Sequence, residues 1–170
     1  MKYRPILFII ILFAVCIFGQ NSNNRYKEYC FSNNYGNFCI AYPENILIPQ
    51  READAHDGIV FLSKNKKNSI TFFHSMYYLM EPEWNIDFFY KNNLKEYTKT
   101  SIRYKKIGKD FYVISGKEKG KIFYRKSMVI AKNLLTVLFE YQEKDKKLFD
   151  GLISKLPNTI RIYDLDMQVK

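Results

Sequence analysis

Two histidines, one short run of carboxylates and three cysteines carry the most obvious chemistry of this sequence. His56 lies in Arg51-Glu52-Ala53-Asp54-Ala55-His56-Asp57-Gly58, so its imidazole shares a polar turn with Glu52, Asp54 and Asp57. Carboxylates with an imidazole suit a divalent cation, and a histidine beside an acid is also where a hydrolytic site would begin. The spacing matches no recognised cation loop, and Asp57-Gly58 is a natural turn into the apolar run from Ile59. The expectation is a plain turn with no metal and no cofactor. His74 follows Phe73 in Ser69-Ile70-Thr71-Phe72-Phe73-His74-Ser75-Met76-Tyr77, where strand alternation puts it on the face opposite Phe73, as a partly buried or surface residue. A catalytic base must reach a nucleophile and be oriented by a third group, and neither histidine has that support nearby. No catalytic residue is assigned. A small hydrolase using His74 or the Glu52/Asp54/His56/Asp57 turn stands as an alternative.

The glycines and lysines offer less. Gly116-Lys117-Glu118-Lys119-Gly120 has glycines and cations but lacks the strand–loop–helix setting and terminal Lys-Ser/Thr of a phosphate loop. It reads as a basic hairpin turn, and Ser115 before it has no nucleophile elbow. Tyr77-Tyr78-Leu79-Met80 is aromatic and Met-rich, as interface cores tend to be, although core packing explains it as well. Tyr77, Tyr78, Lys117, Lys119 and Lys121 are therefore the candidate partner-binding residues.

The cysteines depend on where the chain folds. Lys2 and Arg4 precede an unbroken apolar run from Ile6 to Phe18, which opens at Gly19-Gln20 into Asn21-Ser22-Asn23-Asn24-Arg25. That run is shorter than the roughly 20 residues of a membrane span and has the layout of a cleavable export signal over residues 1–20. Cys16 leaves with it. Cys30 and Cys39 then form an even pair in an exported domain, periplasmic or secreted, and a disulfide is expected. In the alternative, Cys16 is a lipid-anchored cysteine. Val15 where a small residue belongs, and Ile17-Phe18 after it, argue against that.

The whole sequence carries 27 Lys and Arg against 17 Asp and Glu, with 14 Tyr and 14 Phe. The aromatics suffice for one core without a metal. The excess charge favours an anionic surface or acidic partner. The lysines are spread along the chain rather than gathered in an arm, so nucleic acid is not expected.

Periodicity supplies the elements that would position these residues. Strands are expected at Asn37–Tyr42, Ile59–Ser63, Ser69–Tyr77, Ile102–Ile107, Phe111–Ser115, Lys121–Ala131, Leu134–Tyr141 and Thr159–Tyr163. Pro43 and Pro49 are stops, Lys64–Asn68 is a hairpin loop, and Asn21–Lys27 is loose. One helix begins at Glu81-Pro82-Glu83 and buries Ile86, Phe89, Tyr90, Leu94 and Tyr97, with Lys95 and Lys99 at its C-terminal end. A second runs from about Asp145 to Leu156 with Leu148, Phe149, Leu152, Ile153 and Leu156 inward, and Pro157 stops it. Leu138 interrupts the alternation of its strand, which implies cover on the second sheet face as well. The domain reading is 1–20 signal, 21–34 polar segment, 35–163 single domain and 164–170 tail. The fold class is α+β, a central mostly antiparallel sheet with two helices packed on it.

Tyr35-Gly36-Asn37-Phe38-Cys39-Ile40-Ala41-Tyr42-Pro43 followed by Asp57-Gly58-Ile59-Val60-Phe61-Leu62-Ser63 resembles the PsbP/Mog1-like family of small exported bacterial proteins. Phe111-Tyr112-Val113-Ile114-Ser115-Gly116, Ile122-Phe123-Tyr124-Arg125-Lys126 and the helix containing Phe149-Asp150 extend the likeness over nearly the whole domain. The resemblance implies an antiparallel sheet with helices on its faces, and a binding or accessory role. Its motifs are structural, so they speak for fold before function. The functional expectation is a non-enzymatic exported module whose partner is another envelope or secreted protein or an anionic surface, with no transmembrane span in the mature chain. A periplasmic immunity or inhibitor protein against a toxin is the narrower alternative.

Overall fold

The computed structural model describes residues 24–33, 36–52, 54, 56–77 and 84–163, with Met76 and Tyr77 described by their backbone. The leader with Cys16, Tyr35, Tyr78, the Glu81-Pro82-Glu83 start and the tail 164–170 are expectations that lie outside the described residues. The elements follow in the order β1 (Tyr26–Asn33), β2 (Gly36–Pro43), β3 (Leu47–Pro49), β4 (Gly58–Ser63), β5 (Ser69–Tyr77), α1 (Ile86–Leu94), β6 (Ile102–Ile107), β7 (Phe111–Glu118), β8 (Lys121–Ile130), β9 (Asn133–Gln142), α2 (Lys146–Lys155) and β10 (Arg161–Tyr163). All strand pairs are antiparallel. They form a seven-stranded sheet, β3-β4-β5-β9-β8-β7-β6, and a three-stranded sheet, β1-β2-β10. The α+β class expected from the sequence holds.

Alternation in β9 sorts the core. Leu135, Val137, Phe139 and Tyr141 point to one face of the large sheet, joined there by Ile59, Phe61, Ile70 and Phe72. The small sheet closes that face with Phe31, Phe38, Ile40 and Tyr42, and the α2 region closes it with Phe149, Leu152 and Leu156. On the other face α1 lays Ile86 and Phe89 against Tyr112, Ile114, Phe123 and Leu134. The cover implied by Leu138 is thus real: residues 133–137 of β9 are buried on both sides.

Besides the short strand β3, which was not expected, four details depart from the sequence expectations. Tyr26 and Lys27, expected at the end of a loose segment, instead open strand β1, which was not expected and with β2 and β10 makes a second sheet. Most of β1 is exposed and only Phe31 is buried, so an edge strand with one inward residue gives little periodic signal. Gly116 belongs to β7 rather than to the turn, which shrinks to Lys119-Gly120 with φ of 49° and 78°, the backbone of a tight hairpin turn. Helix α1 starts at Ile86, where the Asn85 side chain accepts the Phe88 N–H at 3.0 Å, and Tyr97 lies beyond its end. Leu148 is 42% exposed, because it sits about 100° around α2 from Phe149 and falls on the flank of the buried stripe.

Candidate functional site

Cys30 and Cys39 lie directly opposite each other in the β1–β2 register and are bonded, S–S 1.98 Å. Glu28 stands beside them, and these three are the one His/Cys/Asp/Glu group among the described residues close enough to hold a metal ion. Both sulfurs are committed to each other, so neither is available as a thiolate ligand.

His74 is 6% exposed and stacks on Phe38 with ring centroids 4.9 Å apart. Asn33 Nδ2 lies 3.4 Å from its Nδ1. It faces the core side of β5 opposite Leu135, on the face away from Phe73 as expected, but it is fully enclosed beneath the small sheet. His56 is exposed, and its Nδ1 lies 2.9 Å from Glu52 Oε2. The other Glu52 oxygen accepts the Tyr29 hydroxyl. Those bonds, Tyr29 first and His56 second, hold the Glu52 carboxyl below the usual range, while burial and then Glu52 push the Tyr29 phenol up to about 12. Asp54 pairs with Arg51 at 3.2 Å. The Glu52 and Asp54 carboxylates of the turn therefore already have protein partners, and Glu52, through Tyr29, pins the turn to β1.

Of the three hairpin lysines, one is held in an ion pair and the other two share a hollow with carboxylates. Lys117 Nζ reaches Glu143 Oε2 at 3.1 Å. Lys119 and Lys121 share a hollow of about 300 Å³ with Glu118 and Glu140. Tyr77 pairs through its backbone with Asn133, and Tyr78 is outside the described residues.

A larger hollow, of about 650 Å³, lies between the end of α1 and β6. Leu94, Tyr97, Ile102 and Tyr104 give it apolar walls, and Lys95, Lys99, Arg103 and Lys105 give it four cations. No carboxylate lines it, and none of the four is in an ion pair among the described residues. Local structure explains this concentration. Lys95 caps the C-terminus of α1, where the helix dipole favours a cation. The connection is then pinned by Ser101, whose hydroxyl donates to Thr98 O at 2.7 Å and whose carbonyl accepts Lys117 N–H at 2.9 Å. Tyr97 stacks on Phe123, centroids 4.3 Å apart and planes 5° from parallel, and burial raises its phenol.

An ion pair between a buried arginine and an exposed glutamate fastens the same connection to the sheet. Glu96 Oε2 accepts Arg125 Nη1 at 2.5 Å, and Arg125 is 7% exposed with its guanidinium 5.9 Å over the Phe73 ring. The one acid of this stretch is thereby withdrawn from the groove and spent on β8. In the sequence, Lys95 and Lys99 fit as partners of a helix dipole and Lys105-Lys106 as part of a dispersed basic charge. The available signal was the run Lys95, Lys99, Arg103, Lys105, Lys106, Lys109, interrupted by Glu96 alone over fifteen positions.

No protein-family model matches the sequence, and no curated protein matches it. The fold does match a solved structure: cyanobacterial PsbP (CyanoP) from Synechocystis sp. PCC 6803, with a TM-score of 0.58 and 12% sequence identity, over 82% of this chain and 94% of that one. The chain has a PsbP-like fold. Among the described residues no helix is long and apolar enough to cross a membrane.

Proposed function

We propose that this chain is an exported, non-enzymatic binding module of the cell envelope that takes an anionic partner in the groove between α1 and β6. The carrying observation is the groove itself: four cations that have no ion-pair partner among the described residues stand over apolar walls, with no carboxylate in the lining. Opposite charge steers encounter and selects the partner, while the walls supply area to bury. The Cys30–Cys39 bond supports folding in an oxidising compartment. The histidines support binding over hydrolysis, since His74 is sealed under Phe38 and His56 is held by Glu52.

The test uses the oxidised mature chain and two anionic probes, poly-L-glutamate and phosphatidylglycerol vesicles, with phosphatidylcholine vesicles as the neutral control. At least one anionic probe is held, less tightly as salt rises. Lys99→Glu/Lys105→Glu loses it, while Lys117→Glu/Lys121→Glu, on a hairpin that does not line the groove, retains most of it. Retention of neither anionic probe, or equal retention by the groove variant, overturns the reading.

A further inference from the structure

The groove runs along a free sheet edge. Strand β6 is the terminal strand of the large sheet, and among the described residues nothing pairs on its outer side. Gly108 N–H donates to Phe111 O at 2.8 Å across the β6–β7 turn. The alternation of an antiparallel ladder then turns the backbone groups of Lys105 and Ile107 away from β7. They present donors and acceptors along the rim of the basic groove. All of β6 except Ile102 is exposed.

Exposed edges are commonly protected by lysine and by bulges, and β6 has both, with its register broken between Ile102 and Tyr104. Those cations do not exclude every strand. A second copy of β6 would set Arg103, Lys105 and Lys106 against like charges, which opposes self-pairing. An acidic strand would meet the reverse. We infer that β6 is an acceptor for an extended acidic peptide segment of a partner protein, which adds to the large sheet as an eighth strand and places alternate carboxylates against Lys95, Lys99 and Lys105. Main-chain bonds to Lys105 and Ile107 would hold the segment, and the cations would choose it, as in other strand-addition complexes. The apolar walls at Leu94, Tyr97 and Ile102 would receive the stems of the inward residues. This rests on the anionic-partner reading and narrows it to one mode.

The probe is a blocked heptapeptide alternating Glu and Val, compared with versions N-methylated at every second residue in each register. Methylation leaves the charge unchanged and removes the N–H groups. In amide-resolved NMR of the full mature chain, the unmodified peptide shifts Lys105 and Ile107 and slows their hydrogen exchange. One methylated register binds at least about tenfold more weakly at the same salt. Lys99→Glu/Lys105→Glu, folded by circular dichroism, loses the peptide. If both methylated registers bind as well as the parent, attraction is charge alone: strand addition is overturned while the anionic-partner reading stands. If phosphatidylglycerol vesicles are held and the peptide is not, the site is a membrane surface and the inference is wrong. Binding of no anionic probe removes both.

Discussion

Gly116→Ala tests whether the groove is as tightly braced as the geometry requires. A Cβ built at Gly116 would lie 1.9 Å from the Ser101 carbonyl oxygen and 2.8 Å from its carbon. These are backbone atoms, so no side-chain rotation relieves the overlap. The connection after α1 must move off β7, and the Lys117 N–H to Ser101 O bond of 2.9 Å is strained or lost with it. Overpacking of a filled site costs about 1–3 kcal/mol and a lost internal hydrogen bond about 1 kcal/mol, giving a destabilisation of about 2–4 kcal/mol. Against a usual total of about 5–15 kcal/mol, that lowers the urea midpoint plainly without abolishing folding. Gly120→Ala is the control: its Cβ would meet nothing within 4 Å, but φ is 78°, so it should lose only about 1 kcal/mol from backbone strain. The groove should respond as well, because Lys99 and Arg103 flank the displaced Ser101. Urea unfolding followed by circular dichroism reads the first effect, and poly-L-glutamate affinity reads the second. A Gly116→Ala variant within 0.5 kcal/mol of wild type (about the scatter of a neutral surface change) would refute the close contact and the bracing built on it.

Reduction of the Cys30–Cys39 bond, nine residues apart, should lower stability by about 2–3 kcal/mol on the chain-entropy estimate, and intact mass with and without reductant should differ by two hydrogens. Glu52 is held below its ordinary range by Tyr29 and His56, so its contribution is present above the usual glutamate pKa and is lost as pH falls through the depressed value; Glu52→Gln should remove part of the acid sensitivity seen by circular dichroism. The Tyr29 phenol, raised to about 12, contributes below pH about 10 and loses that contribution as pH climbs toward 12, which phenolate absorbance compared with Tyr29→Phe would read. His56→Gln at the surface should leave stability within about 0.5 kcal/mol, whereas His74→Gln, which removes a ring stacked on Phe38, should lose about 1–3 kcal/mol in the same urea assay.

The meander was legible in the sequence because its strands alternate and its turns carry Gly, Asn and Lys. Strands β4, β5 and β6 fall within a residue of expectation for that reason, and the pairing of Cys30 with Cys39 was legible too. Strand β1 was not, because its inward side is almost a single residue, Phe31, and its partner strand rather than its own pattern creates it. Gly116 looked like a turn glycine, while its real cause is Ser101, fifteen residues upstream and invisible to any local pattern. The groove was missed for the same reason. Lys95 and Lys99 each satisfied a local rule at a helix end, and only the return of the chain through β6 brings them beside Arg103 and Lys105. Glu96 would have seemed to dilute them, until the sheet supplied Arg125 to occupy it.

The two sheets also dictate when this chain can become itself. The Cys30–Cys39 hairpin is local and can close as soon as its few residues are free. Its outer neighbour on β2 is β10, which lies more than a hundred residues later. The seam of the large sheet, β5 against β9, likewise joins segments separated by the whole of α1 and three intervening strands. Both sides of the main core therefore wait on late-made chain, while β6 to β9 assemble from consecutive hairpins. Such a topology has a high proportion of distant contacts and folds slowly for its size. A chain made N-terminus first therefore stays open until almost all of it has arrived, and its first covalent clasp can form ahead of its last strand.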